Sequence, residues 1–251
     1  MQNKRFPFID TLRGLALVSM IIYHIFWSME NLFMQKLAWL HSTPAFLWQQ
    51  STAALFIFIS GFCWALTRKH LKRSLTVLGC AVFIFIFTFL FSPGSTIIFG
   101  IIAFIVTAML LMMPLAKILK HLPPTGGLIL SLILFFALKH VPHGYCGIGS
   151  LHWQLPQNLY NGYFTAFIGM PPDNFYSADY FPLIPWLFMY TAGYFAYYLL
   201  MPLLSKTNML NYNISPLTFL GKNSLLTYLL HQPIIYCLLL LWHSNLKPIF
   251  N

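Results

Sequence analysis

The chain has 251 residues, of which 59% are hydrophobic and 7% charged, with a mean hydropathy of +0.72. Soluble domains carry about a quarter charged residues, so a soluble globule is excluded, and an aromatic share of 18% excludes a disordered chain. What is left is an all-α integral membrane protein: at roughly 20 apolar residues per crossing, the length allows about seven or eight helices and no sizeable soluble domain. The formal charge of +10 would point to nucleic acid in a soluble protein. In a polytopic one it reports orientation, and no nucleic-acid partner is expected.

In chain order the expected spans are Asp10–Met29, Ala45–Thr67, Ser74–Phe91, Ile97–Leu119, Gly126–His140, Tyr180–Leu203 and Asn223–Trp242. They form one transmembrane domain over residues 1–251. Lys4 and Arg5 resemble the start of a signal peptide, but the apolar run is too long and carries Asp10 and Arg13, so the first span is read as uncleaved. Pro93-Gly94, Pro123-Pro124, Pro142 and Pro171-Pro172 punctuate the turns. Nothing alternates in the ten-residue manner of a membrane β-barrel. Cys63, Cys80 and Cys237 lie in apolar stretches and Cys146 in a connection, which implies neither a disulfide framework nor a metal site.

With the N-terminus in the cytoplasm, Lys4, Arg5, Arg13, Arg68, Lys69, Lys72, Arg73, Lys117, Lys120, Lys206 and Lys222 face inward. Only Lys36, Lys139 and Lys247 then face out, a strong positive-inside bias that places the C-terminus outside. The longest connection, about residues 141–179, falls on the outer side. It is rich in aromatic, His, Asn and Gln residues, including His143, His152, Trp153, Asn158 and Tyr160, and its composition suits a carbohydrate- or lipid-facing lid.

Ionisable groups inside a membrane are costly, so each is a functional candidate. The first span carries Asp10, Arg13 and His24. Asp10 and Arg13 are three apart and can pair; a purely structural reading has Asp10 capping the helix and Arg13 snorkelling to the interface. Arg13 and His24 are separated by about 16 Å along one face. Arg68-Lys69-His70-Leu71-Lys72-Arg73 is either topology alone or a polyanion site, since Arg and Lys both hold phosphate. In the last span Asn223 or Ser224 caps the helix, Tyr228 follows, and His231, about 12 Å deep, neighbours Gln232 and an expected kink at Pro233. These groups line a cavity or fasten the bundle by interhelical hydrogen bonds. Asp179 caps the sixth span, or is the acidic group placed to orient or charge-balance an imidazole near the outer surface, with Glu30 and Asp173 too far along the loops.

Arg13, ten residues, then His24, in the setting Ile9–Ala16, resembles membrane acyltransferases and is shared with the acyltransferase-3 family, whose cytoplasmic Arg-x-x-x-Arg motif is similar to the 68/72 and 69/73 spacings here. A nearer likeness is to bacterial relatives of heparan-α-glucosaminide N-acetyltransferase, carried by Phe58–Gly61, Phe99–Ile102, Asp179–Trp186 and Gly221–Pro233. The resemblance implies acetyl-CoA as donor, without a metal, its phosphates met by Arg13, Arg68, Lys69, Lys72 and Arg73. It also implies a sugar or glycan acceptor across an inner (plasma) membrane, and a homodimer is in keeping with the family. His24 would be the general base, with Asp179 or His231 orienting it or stabilising the oxyanion. Asp10, Ser224, Tyr228 and Gln232 would be positioning residues. His41, in the first outer connection, rivals His24, because the lysosomal enzyme uses a histidine in its first luminal loop. Two departures from the relatives' pattern are Ala103 after Phe99–Ile102 and Phe26-Trp27-Ser28 where an acidic residue often follows the first-helix His. From the residues alone, the competing reading is a small proton-coupled transporter or flippase with Asp10, Arg13, His24 and His231 as the relay. The chain lacks the internal repeat of many such proteins.

Overall fold

The computed structural model describes residues 5–31 and 33–246; Lys4 and Lys247 of the charge count lie outside them. Seven helices among the described residues are long and apolar enough to cross a membrane. In chain order the helices are α1 (Pro7–Asn31), α2 (Thr43–Leu66), α3 (His70–Phe91), α4 (Ile101–Leu119), α5 (Pro124–Leu138), α6 (Tyr163–Ile168), α7 (Leu183–Leu204), α8 (Ser215–Lys222) and α9 (Ser224–Leu246). All but α6 and α8 are the expected spans, with ends moved by a few residues.

The moved ends have local causes. α3 starts at His70, so Lys72 and Arg73 stand in its first turn rather than in a hairpin loop. α4 starts at Ile101, not Ile97, because Phe99 adopts a left-handed φ of 57° and the Asp179 carboxylate accepts from the Ile101 amide. Residues 141–179 hold more order than a lid needs. An antiparallel hairpin pairs β1 (Tyr145–Ile148) with β2 (Leu151–Gln154), followed by α6. Four-residue strands give too little alternation to be read from sequence. α9 continues through Pro233, whose missing N–H leaves one helical hydrogen bond unmade.

The chain divides into two compact units, Met1–Phe56 with Leu204–Asn251, and Ile57–Leu203. In the first, α1 packs on α8 and α9. A methyl group on Gly14 would run into the Leu217 backbone carbonyl, and one on Gly221 into that of Asp10. Small residues let helix backbones approach this closely, and van der Waals contact then replaces the hydrophobic drive that lipid does not supply. Thr11 and Thr218 join their hydroxyls across the contact at 2.7 Å, both buried. Further along α1, Ser19 meets Thr52 at 2.8 Å and receives the Trp48 indole N–H at 2.8 Å.

The second unit repeats the device. A methyl on Gly61 would strike the Tyr190 carbonyl, and one on Gly193 the Phe58 carbonyl, so the Phe58–Gly61 motif is the seam between α2 and α7. Thr191 and Ser131 hydrogen-bond at 3.0 Å across α7 and α5, both buried. Around them Tyr190, Tyr194, Ala192 and Met112 are almost fully enclosed. In contrast, α3 leaves Leu75, Val82, Phe83, Phe87 and Phe91 open, a surface suited to acyl chains.

Overpacking a tight seam costs about 1–3 kcal/mol. Gly14→Ala, Gly221→Ala and Gly193→Ala should therefore each lower the unfolding midpoint in detergent. Gly79→Ala, where nothing lies within 4 Å of the added methyl, should leave it unchanged or raise it, since Ala is a better helix former. Equal effects at all four glycines would refute the seam.

Candidate active site

The site candidates of the first unit lie along α1 and α9. At one end Arg13 donates from one guanidinium nitrogen to Asp10 at 2.8 Å and to the Gly221 carbonyl at 3.0 Å, so the expected pair forms and also fastens α8. The Asp10 and Arg13 side chains are 11% and 14% exposed, which makes the pair an internal strut rather than a snorkelling cation. Asn223 ends α8 and starts α9. Its side chain donates to the Phe219 carbonyl at 3.0 Å, while its own carbonyl accepts from the Thr227 amide at 2.9 Å. Ser224 is the first residue of α9.

Eleven residues beyond Arg13 comes His24, and eleven beyond Gly221 comes Gln232. The two meet: the Gln232 amide donates to His24 Nδ1 at 3.0 Å, and Ser28 donates to the Gln232 carbonyl oxygen at 3.3 Å. α1 thus contacts α8 at Gly221 and α9 at Gln232. His231 is 7% exposed, its ring centroid lies 4.9 Å from that of His24, and its Nδ1 is hydrogen-bonded to the Tyr228 carbonyl. Its Nε2 is buried and, among the described residues, has no hydrogen-bond partner. Tyr23 and Trp27 present their edges to the His24 ring.

His41 lies elsewhere. It is mostly exposed, in the short turn Ala38–His41, and its Nε2 sits 2.9 Å from Glu30. Glu30 belongs to the last turns of α1, so the acidic partner of an imidazole is one that the sequence placed too far along a loop. Trp39 and Trp48 stack beside this dyad, with ring centroids 6.3 Å apart, and Tyr23 meets Trp48 edge-on.

In the second unit Asp179 does not cap its own helix. Its carboxylate accepts the first amide of α4 at 2.9 Å, and Gly100 leaves room for it, since a Cβ there would crowd the carboxylate. Ser177 donates to the Asp179 carbonyl at 2.7 Å and accepts from the Ile98 amide at 2.9 Å, while the Phe181 amide reaches Phe99 O at 2.9 Å. Two of the sequence motifs, Phe99–Ile102 and Asp179–Trp186, are thus one structural joint. Tyr160 and Tyr180 donate to the Val141 and Ala166 carbonyls, and burial pushes both hydroxyls up, so they stay protonated donors. Arg68, Lys69, Lys72 and Arg73 are exposed, and among the described residues none has an acidic side chain within ion-pair distance. Trp64 stacks on His70 beneath them at 4.2 Å. Among the described residues no group of three or more His, Cys, Asp or Glu is placed to hold a metal ion.

Seven membrane-length helices define an integral membrane protein, and two close imidazoles, His24 and His231, lie where its α1 and α9 meet. Residues 5–233 match the family model described as heparan-alpha-glucosaminide N-acetyltransferase, catalytic, and the chain belongs to that family. It is accordingly a membrane acetyltransferase. Comparison with curated proteins and with solved structures found no match.

Sequence reasoning missed Ser28 as the partner of Gln232 and Glu30 as the partner of His41. Glu30 had a signal in hindsight, because a carboxylate that close to the end of a span needs a partner. If Asp179 acts as the cap of α4, Asp179→Ala should cost about 1 kcal/mol of stability, while Asp179→Asn, which can still accept, should retain most of it. Equal losses in thermal unfolding would mean that the charge, not the cap, is what matters.

Proposed function

We propose that the protein moves an acetyl group from cytoplasmic acetyl-CoA to an amine or hydroxyl of an extracytoplasmic sugar, with an imidazole of the His24–His231 pair as general base. The observation that carries this reading is that pair, His231 buried and His24 half-buried, polar-supported and set where α1 meets α9. A single imidazole could serve only to fasten two helices by a hydrogen bond. Two of them, with a serine and an amide serving them, are an acid–base arrangement. The family's printed name speaks of an amino group on a glucosaminide, which makes an amino sugar the first acceptor to try.

The donor end is assigned to the four cations around the start of α3. Coenzyme A carries several phosphates. Arg68, Lys69, Lys72 and Arg73 supply positive charge that, among the described residues, no carboxylate pairs with, at a helix N-terminus whose dipole also favours anions. Four like charges crowded there without an anion oppose one another and the dipole, so a bound polyanion relieves the repulsion. Arg13 is engaged by Asp10 and Gly221, and its part is to hold α1. The inward placement of the basic segment gives an N-terminus in the cytoplasm and, with seven spans, a C-terminus outside.

Purified protein should bind acetyl-CoA and release thiol faster when an amino sugar is added. In the quadruple variant Arg68→Gln, Lys69→Gln, Lys72→Gln, Arg73→Gln the dissociation constant should rise by about tenfold or more, about 1.4 kcal/mol, as read by calorimetry. Unchanged affinity in correctly inserted protein would make the segment topology alone. His24→Ala should cut turnover by about 10²–10³-fold and leave acetyl-CoA affinity within about twofold. Turnover at the wild-type rate would transfer the chemistry to the His41–Glu30 dyad.

A further inference from the structure

The two imidazoles of the pair are not equivalent, and their hydrogen bonds say which atom of each is bare. The Tyr228 carbonyl can only accept, so His231 Nδ1 carries the hydrogen and its Nε2 carries the lone pair. That lone pair is buried and, among the described residues, unpartnered, which costs free energy unless something is meant to arrive there. His24 has the opposite arrangement. Ser28 donates to the Gln232 carbonyl oxygen, which turns the amide N–H toward His24 Nδ1. The lone pair of His24 is thereby occupied at Nδ1, and its hydrogen stands on Nε2. One ring is left as an acceptor, and its neighbour, with centroids 4.9 Å apart, is left as a donor.

Resting on the acetyl-transfer reading above, we propose that His231 Nε2, rather than His24, is the atom that takes the acceptor's proton, and that Ser28 and Gln232 are positioning residues that keep His24 as an N–H donor to the thioester oxygen. In the step, the acceptor N–H or O–H attacks the acetyl carbonyl carbon and a C–N or C–O bond forms. The carbonyl oxygen gathers negative charge within reach of His24 Nε2–H, and the acceptor's proton passes to His231 Nε2. Collapse then breaks the C–S bond, and the proton moves from the His231 imidazolium to the departing thiolate as coenzyme A thiol. Proton and electron pair balance with no further reactant. Preorganised donors of this kind are worth about 10²–10³ in rate, and a positioned base about 10²–10⁴.

The assignment is tested on the whole protein in detergent, with ¹⁵N-labelled histidine. The expected spectrum gives His231 a protonated Nδ1 and a bare Nε2, and His24 the reverse; His24→Asn and His231→Asn identify the signals. In Gln232→Glu a carboxylate accepts from His24 Nδ1–H instead, so the His24 hydrogen should move to Nδ1. Turnover should then fall at least about tenfold while acetyl-CoA affinity holds. A merely structural Gln232 would let the tautomer move with no loss of rate. His231→Asn keeps an N–H for the Tyr228 carbonyl and lacks Nε2; it should fold as the wild type and lose at least about 10²-fold in turnover. His24→Gln, which keeps a terminal N–H, should lose less than His231→Asn. The proposal is overturned if His231 is bare at Nδ1, or if His231→Asn turns over like the wild type. Wild-type protein that shows these tautomers but acetylates no acceptor would instead overturn the acetyl-transfer reading, and the catalytic assignment with it.

Discussion

Within hydrocarbon every polar group must find its partner inside the protein, and in the first unit the crossing of α1 and α8 is where backbones and an ion pair meet it together. Gly14 and Gly221 bring the two backbones together, and Arg13 locks them through Asp10 and the Gly221 carbonyl. Because α9 follows α8 with only Asn223 between them, this crossing also sets where α9 begins. Farther along α1 and into α9, His24 and Gln232 meet. The chemistry at one end is thus registered by packing at the other, and neither glycine touches a reacting group.

Much of this was legible in the sequence, for reasons that differ from residue to residue. The seven spans follow from length and apolarity, which lipid enforces more strictly than water does. The Asp10–Arg13 pair follows from helical spacing, and His24 and His231 stand out as imidazoles at depth. What could not be read is which residues meet across helices. Gly61 and Gly193, or Gly100 and Asp179, are far apart in sequence and have no local periodicity that announces a contact. Glu30 looked like a loop residue because α1 runs to Asn31, beyond the expected end at Met29. The hairpin at Tyr145–Gln154 is too short for an alternating pattern, and α8 has only eight residues.

The family motifs divide in physical terms. Phe58–Gly61, Phe99–Ile102 and the glycines at 14 and 221 are there to let backbones or a carboxylate approach; they are the frame. His24, His231, Gln232 and Ser28 are polar groups held by that frame, with one buried lone pair left over. The Ser28 hydroxyl serves Gln232. In the His41–Glu30 dyad the imidazole is mostly exposed and the carboxylate largely enclosed.

The account as a whole rests on transfer across a bilayer, and sealed vesicles test that most directly. Protein is reconstituted, acetyl-labelled CoA is added only to the exterior, and an amino sugar is trapped inside. The account predicts labelled acetyl sugar in the lumen, with all of the coenzyme A thiol left outside. Labelled sugar formed only when the acceptor shares the donor's compartment, or coenzyme A recovered from the lumen, would contradict it.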